Sequence, residues 1–104
     1  MKVIVTGAAA IVGRLLCERL AAEGMSVLAL DRAPVELATV DHRIVDLASA
    51  KLGPLFAGAE AIVHLGARFA ADSADLADGA GPLAVTSRVL EAAAEAGVGH
   101  VVLL

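Results

Sequence analysis

The feature that most constrains the fold of this chain is an alternation of short apolar runs with longer segments whose apolar residues recur at helical spacing. Such alternation is typical of βαβ units, in which helices join parallel strands and cover the sheet. The apolar runs are continuous, without polar residues at every second position, which predicts strands buried on both faces. We therefore predict an α/β fold with a doubly wound parallel sheet.

The sequence predicts strands over residues 2–6, 26–30, 42–45, 61–65 and 100–104, and long helices over 10–24 and 81–97. A shorter helix is predicted at about 49–56, where a Gly-Pro pair interrupts the pattern. Residues 68–81 are small, acidic and rich in glycine, which indicates a loop.

Local signals mark the ends and the faces of the long helices. Gly24 and Gly97 stand where glycine commonly terminates a helix, and Pro82 stands in the first turn of the second long helix. In the first long helix, one apolar face is predicted to consist of Ile11, Leu15, Leu16 and Leu20.

Length and composition exclude several classes of protein. The chain has 104 residues, enough for one domain, and 59% of them are hydrophobic. No apolar run approaches the roughly 18 to 20 residues that a membrane span needs, and the N-terminus lacks the pattern of a signal peptide. We expect a soluble, cytoplasmic protein. A net charge of -4 with scattered basic residues argues against binding to nucleic acid or to an anionic membrane.

Cysteine usage points to a structural role. Cys17 is the single cysteine of the chain, so no internal disulfide and no cysteine-based metal site is possible. Its position within a helical pattern predicts a small, buried apolar side chain. We expect no bound metal.

The segment TGAAAIVG, residues 6–13, joins the first predicted strand to the first predicted helix. A dinucleotide site needs a sharp turn off the strand, backbone amides at a helix N-terminus, and a small residue where helix meets strand. Gly7 and Gly13 meet the first and third needs, and Ala10, Ile11 and Val12 lie between them where amides would face the phosphates. The spacing differs from G-x-G-x-x-G.

An acidic residue closes the second apolar run. Asp31 follows Gly13 by 18 residues, close to the roughly 20 expected for an acid that binds the adenosine ribose. A carboxylate there favours NAD and repels the 2′-phosphate of NADP, although Arg32 would partly offset that repulsion. The alternative is an ordinary acid in a surface turn.

The glycine turn resembles the T-G-x-x-G-x-x-G turn of the short-chain dehydrogenase/reductase superfamily. Four further segments resemble its extended branch, the NAD-dependent epimerase/dehydratase family: ALDR at 29–32, VDL at 45–47, VHLGA at 63–67 and VLEAAAEAGVGHVVLL at 89–104. The resemblance runs in order along essentially the whole chain. It implies a Rossmann-type sheet in the order 3-2-1-4-5, NAD as the cofactor, and a full-length enzyme that acts on a nucleotide sugar.

The resemblance assigns further cofactor-binding residues. Asp46 and Leu47 would lie at the adenine, although Asp46 is alternatively the cap of the short helix after it. Leu65, Gly66 and Ala67 would let the cofactor cross the end of the fourth strand.

Two polar residues near these positions are predicted to have no part in catalysis or binding. His64 is interpreted as a hydrogen-bonded structural residue rather than a general base, and Arg68 as a solvated loop residue. The sequence departs from the family pattern at Ala10, which replaces its middle glycine and narrows the approach to the phosphates. It departs again at Pro82, which replaces an asparagine.

The catalytic residues of the resembled family are not found. That family uses a serine or threonine together with Tyr-x-x-x-Lys, whereas this chain has no tyrosine, and its lysines, Lys2 and Lys51, lie elsewhere. We assign no catalytic residue. The first expectation is a truncated, N-terminal NAD(P)-binding part, residues 1–104, of a longer oxidoreductase, isomerase or lyase.

Two alternatives are a stand-alone, non-catalytic dinucleotide-binding or sensing module, and a βα domain that holds a partner through its last strand. The apolar ending VVLL favours the fragment, because an independent domain more often covers or polarises such an edge. Homodimer formation stays open.

Overall fold

The computed structural model describes residues 1–65 and 82–104. Within these residues the strands are β1 (Lys2–Thr6), β2 (Ser26–Asp31), β3 (Asp41–Ile44), β4 (Ala61–His64) and β5 (His100–Leu103). The helices are α1 (Ile11–Ala22), α2 (Leu52–Phe56) and α3 (Pro82–Ala96). The predicted loop at 68–81 lies outside the described residues. 

All strand pairs are parallel, and the order across the sheet is β3-β2-β1-β4-β5. The predicted α/β class and the predicted strand order are therefore confirmed. In the register, Val3 of β1 lies between Val27 of β2 and Ala61 of β4. The chain moves outward from β1 in one direction through β2 and β3, and in the other through β4 and β5, so the order reverses between β1 and β4.

Both faces of the central sheet are covered. One layer includes α1 and the segment 33–40, and its buried residues are Val3, Val5, Ala8, Cys17, Val27, Ala29, Val35, Leu37, Val40 and Leu65. The other includes α2 and α3, and its buried residues are Ile4, Leu30, Leu47, Leu52, Phe56, Ala59, Ile62, Val89, Ala92 and Ala93. Successive β1 side chains alternate between the layers, as the pleat requires.

The prediction that every strand is buried on both faces is wrong at the two edges. All residues of β3 are exposed, and β5 is exposed except at Val101. Each of these strands has one hydrogen-bonded neighbour among the described residues. The helices pack against the centre of the sheet and leave its margins to solvent. An apolar run identifies a parallel strand, but its burial depends on its place in the sheet.

The predicted apolar face of α1 is only half correct. Ile11 and Leu15 are 79% and 61% exposed, whereas Gly13 and Cys17 are buried and Leu16 and Leu20 pack against the same layer. The face that meets the sheet runs through positions 13, 16, 17 and 20, a helical spacing anchored on the glycine. The close approach at Gly13 decides which side of the helix is buried.

Element ends lie close to their predicted positions. α1 and α3 end just before Gly24 and Gly97, whose φ values are +87° and +75°, and α3 begins at Pro82. α2 starts later than predicted, at Leu52, because residues 47–50 form turns. The Val45 N–H donates to the Asp31 carbonyl at 2.9 Å, so strand pairing continues one residue beyond β3, as predicted.

Cys17 is buried, as predicted, with no exposed surface. Burial raises the pKa of its thiol to about 11, with a smaller contribution from the neighbouring Glu18 carboxylate. A thiol reacts through its thiolate. We expect Ellman's reagent at pH 8 to leave the folded protein essentially unlabelled and to label the urea-unfolded chain fully. Rapid labelling of the folded protein would contradict the buried position.

Candidate functional site

Several of the predicted binding residues meet at one edge of the sheet. Gly7 directly follows β1, Asp31 ends β2, Asp46 lies two residues after β3, and Leu65 directly follows β4. Parallel strands place their carboxyl ends at a common edge, and in open α/β sheets ligands bind beyond that edge, where the strand order reverses. The β1–β4 boundary is this position.

The turn after β1 is tight. Gly7 has a φ of +70°, a conformation that glycine adopts without steric cost, and its carbonyl accepts from the Ala10 N–H at 3.3 Å. Ala10 itself has φ −71° and ψ 160°, which any residue can adopt. The backbone therefore accommodates alanine in place of the family's middle glycine without strain.

Within residues 1–65 and 82–104, no side chain caps the N-terminus of α1, and its first turn has no acidic residue. The first amides of a helix lack partners within the helix and carry partial positive charge, so they attract anions. Ile11 and Val12 are 79% and 44% exposed here. The beginning of α1 is thus an accessible group of amide donors.

Gly13 brings the helix against the turn. A Cβ atom added to it would lie 2.5 Å from the Gly7 carbonyl oxygen and 2.7 Å from Ala8 Cα. Both neighbours are backbone atoms, so no side chain can rotate away to make room. The predicted need for a very small residue at this position is confirmed.

The Asp31 carboxylate reaches the glycine turn. Its Oδ2 accepts from the Ala9 N–H at 2.9 Å, and its Oδ1 accepts from the Ala33 N–H at 3.0 Å. The acid therefore lies beside the turn at the end of β2 and also fixes the chain that follows. Sequence reasoning missed the bond to Ala9, which crosses between two strands. Arg32 is exposed.

Asp46 organises the turn after β3. Its Oδ1 accepts from the Ala48 N–H at 2.9 Å, and its carbonyl accepts from the Ser49 and Ala50 N–H groups at 3.1 and 2.8 Å. The alternative role as the cap of α2 is not observed, because Lys51 is the N-cap residue. Leu47 is 9% exposed and packs with Leu52 and Phe56.

The carboxyl end of β4 is held by a buried polar cluster. His64 is 1% exposed; its Nδ1 lies 2.6 Å from Thr6 Oγ1, and its Nε2 lies 3.1 Å from Thr86 Oγ1. Thr6 Oγ1 also accepts from the Leu65 N–H at 3.1 Å. Burial lowers the pKa of His64 below its ordinary value. A neutral, hydrogen-bonded imidazole agrees with the structural role expected for His64.

Of the residues predicted at this end of β4, Leu65 is buried at 1% exposure. Gly66 and Ala67, together with Arg68, lie outside the described residues.

A contact of Arg88 was not predicted from the sequence. Its guanidinium donates to the carbonyl of Leu47 and, at 2.7 Å, to the carbonyl of Ala50. The contact joins α3 to the turn after β3, residues that are far apart in sequence. A signal for Thr86 did exist, because it precedes the buried Val89 by one helical turn. Nothing in the sequence indicated the partners of Arg88.

Each helix of residues 1–65 and 82–104 is too short or too polar to span a lipid bilayer. The same residues contain no group of at least three His, Cys, Asp or Glu side chains placed to hold a metal ion.

Comparison with protein families identifies the chain. The model of the NAD dependent epimerase/dehydratase family matches residues 3–104. This chain belongs to that family. A search of curated protein sequences finds no significant match.

Solved structures of this kind resemble the chain closely. A short-chain dehydrogenase/reductase superfamily protein from Agrobacterium tumefaciens with bound NAD is 30% identical with a TM-score of 0.86, and the alignment covers 99% of this chain and 32% of that one. MoeE5 in complex with UDP-glucuronic acid and NAD is 30% identical with a TM-score of 0.82, with coverage of 99% and 36%.

Uronate dehydrogenase from Agrobacterium tumefaciens is 30% identical with a TM-score of 0.82, and the alignment covers 98% of this chain and 39% of that one. The epimerase/dehydratase chain described here therefore spans between about a third and two fifths of the length of these relatives.

Proposed function

We propose that this chain binds NAD at the carboxyl edge of its sheet, with the pyrophosphate at the β1–α1 turn. The observation that carries the proposal is the 2.9 Å hydrogen bond between Asp31 Oδ2 and the Ala9 N–H. This bond holds the Asp31 carboxylate, which would bind the ribose, beside the glycine turn, which would bind the phosphates. An adenosine dinucleotide requires both groups at this spacing. The family to which the chain belongs and the NAD in its structural neighbours support the same ligand.

The turn suits a pyrophosphate for three reasons. Gly13 lets α1 start in contact with the backbone of the turn, since a Cβ atom has no room there. No side chain of the described part of the chain caps the first amides of α1, and its first turn has no carboxylate to repel an anion. Ala10, Ile11, Val12 and the two glycines are the proposed pyrophosphate-binding residues.

The remaining predicted residues are assigned to the other parts of the cofactor. Asp31 would accept hydrogen bonds from the adenosine ribose and disfavour a 2′-phosphate, with Arg32 reducing that repulsion. Asp46 and Leu47 would bind the adenine. Leu65, Gly66 and Ala67 would lie where the cofactor crosses the sheet. Bound NAD supplies hydride transfer at its nicotinamide ring.

We propose that residues 1–104 are the cofactor-binding domain of a longer enzyme that acts on a nucleotide sugar, with the substrate-binding and catalytic groups outside this domain. The greater length of the structural neighbours supports a longer enzyme. MoeE5, solved with UDP-glucose and with UDP-glucuronic acid, supports a nucleotide-sugar substrate. Sequencing the coding DNA beyond Leu104 tests it: an open frame leading to Tyr-x-x-x-Lys is expected. Cytoplasmic location stays a prediction.

Isothermal titration with NAD and NADP tests the site. We expect the folded chain to bind NAD and to prefer it over NADP. Asp31→Ala should weaken NAD binding about tenfold or more, because it removes the acceptor for the ribose and the brace on the Ala9 amide. Asp31→Asn, which keeps an acceptor but removes the charge, should reduce the preference for NAD over NADP.

Asp41→Ala is the matched control for these variants. Asp41 is an exposed acid at the opposite, amino-terminal end of β3, so its loss changes the net charge equally without touching the proposed site. Its NAD affinity should equal that of the wild type. Absence of heat with either dinucleotide, from a sample whose circular dichroism shows a folded protein, would overturn the proposal.

A further inference from the structure

The segment between β3 and α2 is fixed from two sides. We call residues 46–50 the 46–50 turn. From within, Asp46 accepts from the N–H groups of Ala48 and Ala50, with its side chain and its carbonyl respectively. From outside, the Arg88 guanidinium donates to the carbonyls of Leu47 and Ala50.

Arg88 suits this position because of its shape. The guanidinium carries several N–H donors in a rigid, planar fork, so one side chain can hold two carbonyls at a defined separation. The contact is partly buried, where charge-assisted hydrogen bonds are less weakened by water. A lysine ammonium is a point charge on a flexible stem and would hold the two carbonyls less rigidly.

The 46–50 turn also determines where the Asp46 carboxylate lies. Its Oδ1 is tied to the Ala48 N–H, whereas its Oδ2 has no hydrogen-bond partner among the described residues. Any movement of the turn therefore moves the oxygen that is available to a ligand. Arg88, on α3, contacts the backbone of this turn at the carbonyls of Leu47 and Ala50.

We propose that Arg88 is a positioning residue for the adenine of NAD: by holding the 46–50 turn, it orients Asp46 toward the exocyclic amino group of the base. This inference rests on the proposed function. It assigns base selectivity to a side chain that need not touch the cofactor. Loss of such a residue should weaken the binding of NAD more than the binding of a dinucleotide that lacks the adenine amino group.

The test compares NAD with nicotinamide hypoxanthine dinucleotide, in which a carbonyl oxygen replaces the adenine amino group. Wild-type protein should prefer NAD, because the Asp46 carboxylate accepts from the amino group and repels the carbonyl oxygen. Arg88→Met should weaken NAD binding about tenfold and bring the two dissociation constants close together. Arg88→Lys, the conservative variant, should retain an intermediate preference.

Arg19→Met is the matched control, since it removes the same charge from an exposed side chain on α1 that pairs only with Glu23 among the described residues. It should keep both affinities. Asp46→Asn should lose the preference for NAD over the hypoxanthine dinucleotide. Adding Arg88→Met to Asp46→Asn should not change the ratio of the two dissociation constants further, because both substitutions act through the Asp46 carboxylate.

The outcomes separate the two proposals. Wild-type protein that fails to bind NAD overturns the proposed function and this inference with it. Wild-type protein that binds, with Arg88→Met weakening both dinucleotides equally or not at all, overturns the positioning role alone. If Arg88→Met does not fold, the test uses Arg88→Lys and the ratio of its dissociation constants for the two dinucleotides. Faster amide exchange at Ala48 and Ala50 in the cofactor-free variant is expected and would support control of the turn.

Discussion

Gly13→Ala is expected to destabilise the domain by about 2 to 3 kcal/mol and to abolish measurable NAD binding. The added Cβ atom would lie 2.5 Å from the Gly7 carbonyl oxygen and 2.7 Å from Ala8 Cα, so α1 must move away from the turn. Alanine is better than glycine within a helix by about 1 kcal/mol, but that gain is smaller than the cost of overpacking against backbone. Urea unfolding and NAD titration measure the two effects.

Gly99→Ala is the control for this variant. It adds the same atom at a position where the nearest heavy atom, the Glu60 carbonyl oxygen, is 3.7 Å away, an ordinary contact. Its free energy of unfolding and its NAD affinity should match the wild type within about 0.5 kcal/mol. If Gly13→Ala were as stable as Gly99→Ala, the close contact between α1 and the turn would not exist.

The proposed site divides into parts that local sequence predicts and parts that it does not. Gly7, Gly13 and Asp31 lie within one βαβ unit, whose geometry follows from the alternation of strand and helix and places all three at one edge. The strand order also follows from the family pattern. Such features need no knowledge of distant contacts.

The missed features all depend on tertiary contacts. The burial of the first helix could not be read from its apolar residues, because Ile11 and Leu15 are exposed and the contact at Gly13 decides the face. Exposure of β3 depends on its place at the margin. Arg88 reaches a turn 38 to 41 residues earlier in the chain, and no periodicity encodes that pairing.

His64→Leu is expected to destabilise the domain by about 2 to 3 kcal/mol, since it removes both bonds of a buried imidazole. His64 joins Thr6 of β1 to Thr86 of α3 at distances of 2.6 and 3.1 Å, so its loss loosens the carboxyl ends of β1 and β4 together. Leucine fills the volume but cannot hydrogen-bond to either hydroxyl. Urea unfolding at pH 7.5 gives the loss, and His64→Asn should recover part of it.

The same group predicts how stability depends on pH. Burial holds the pKa of His64 in the folded protein below its ordinary value of 6.5, so in the unfolded chain the imidazole takes up a proton at a higher pH than in the folded one. The free energy of unfolding should therefore fall as the pH drops through about 6.5 toward the pKa of the folded state. His64→Asn should flatten this decline relative to the wild type.

Two exposed histidines supply the control. His42→Gln and His100→Gln each remove an imidazole from the protein surface, near the amino-terminal ends of β3 and β5 respectively. Neither variant touches the contacts of His64 with Thr6 and Thr86, so between pH 7.5 and 5.5 both should show a steeper decline than His64→Asn. The difference between His64→Asn and the other three proteins isolates the buried imidazole. A decline of the same size in every variant would mean that His64 takes up its proton equally in the folded and unfolded states, which would contradict the lowering of its pKa by burial.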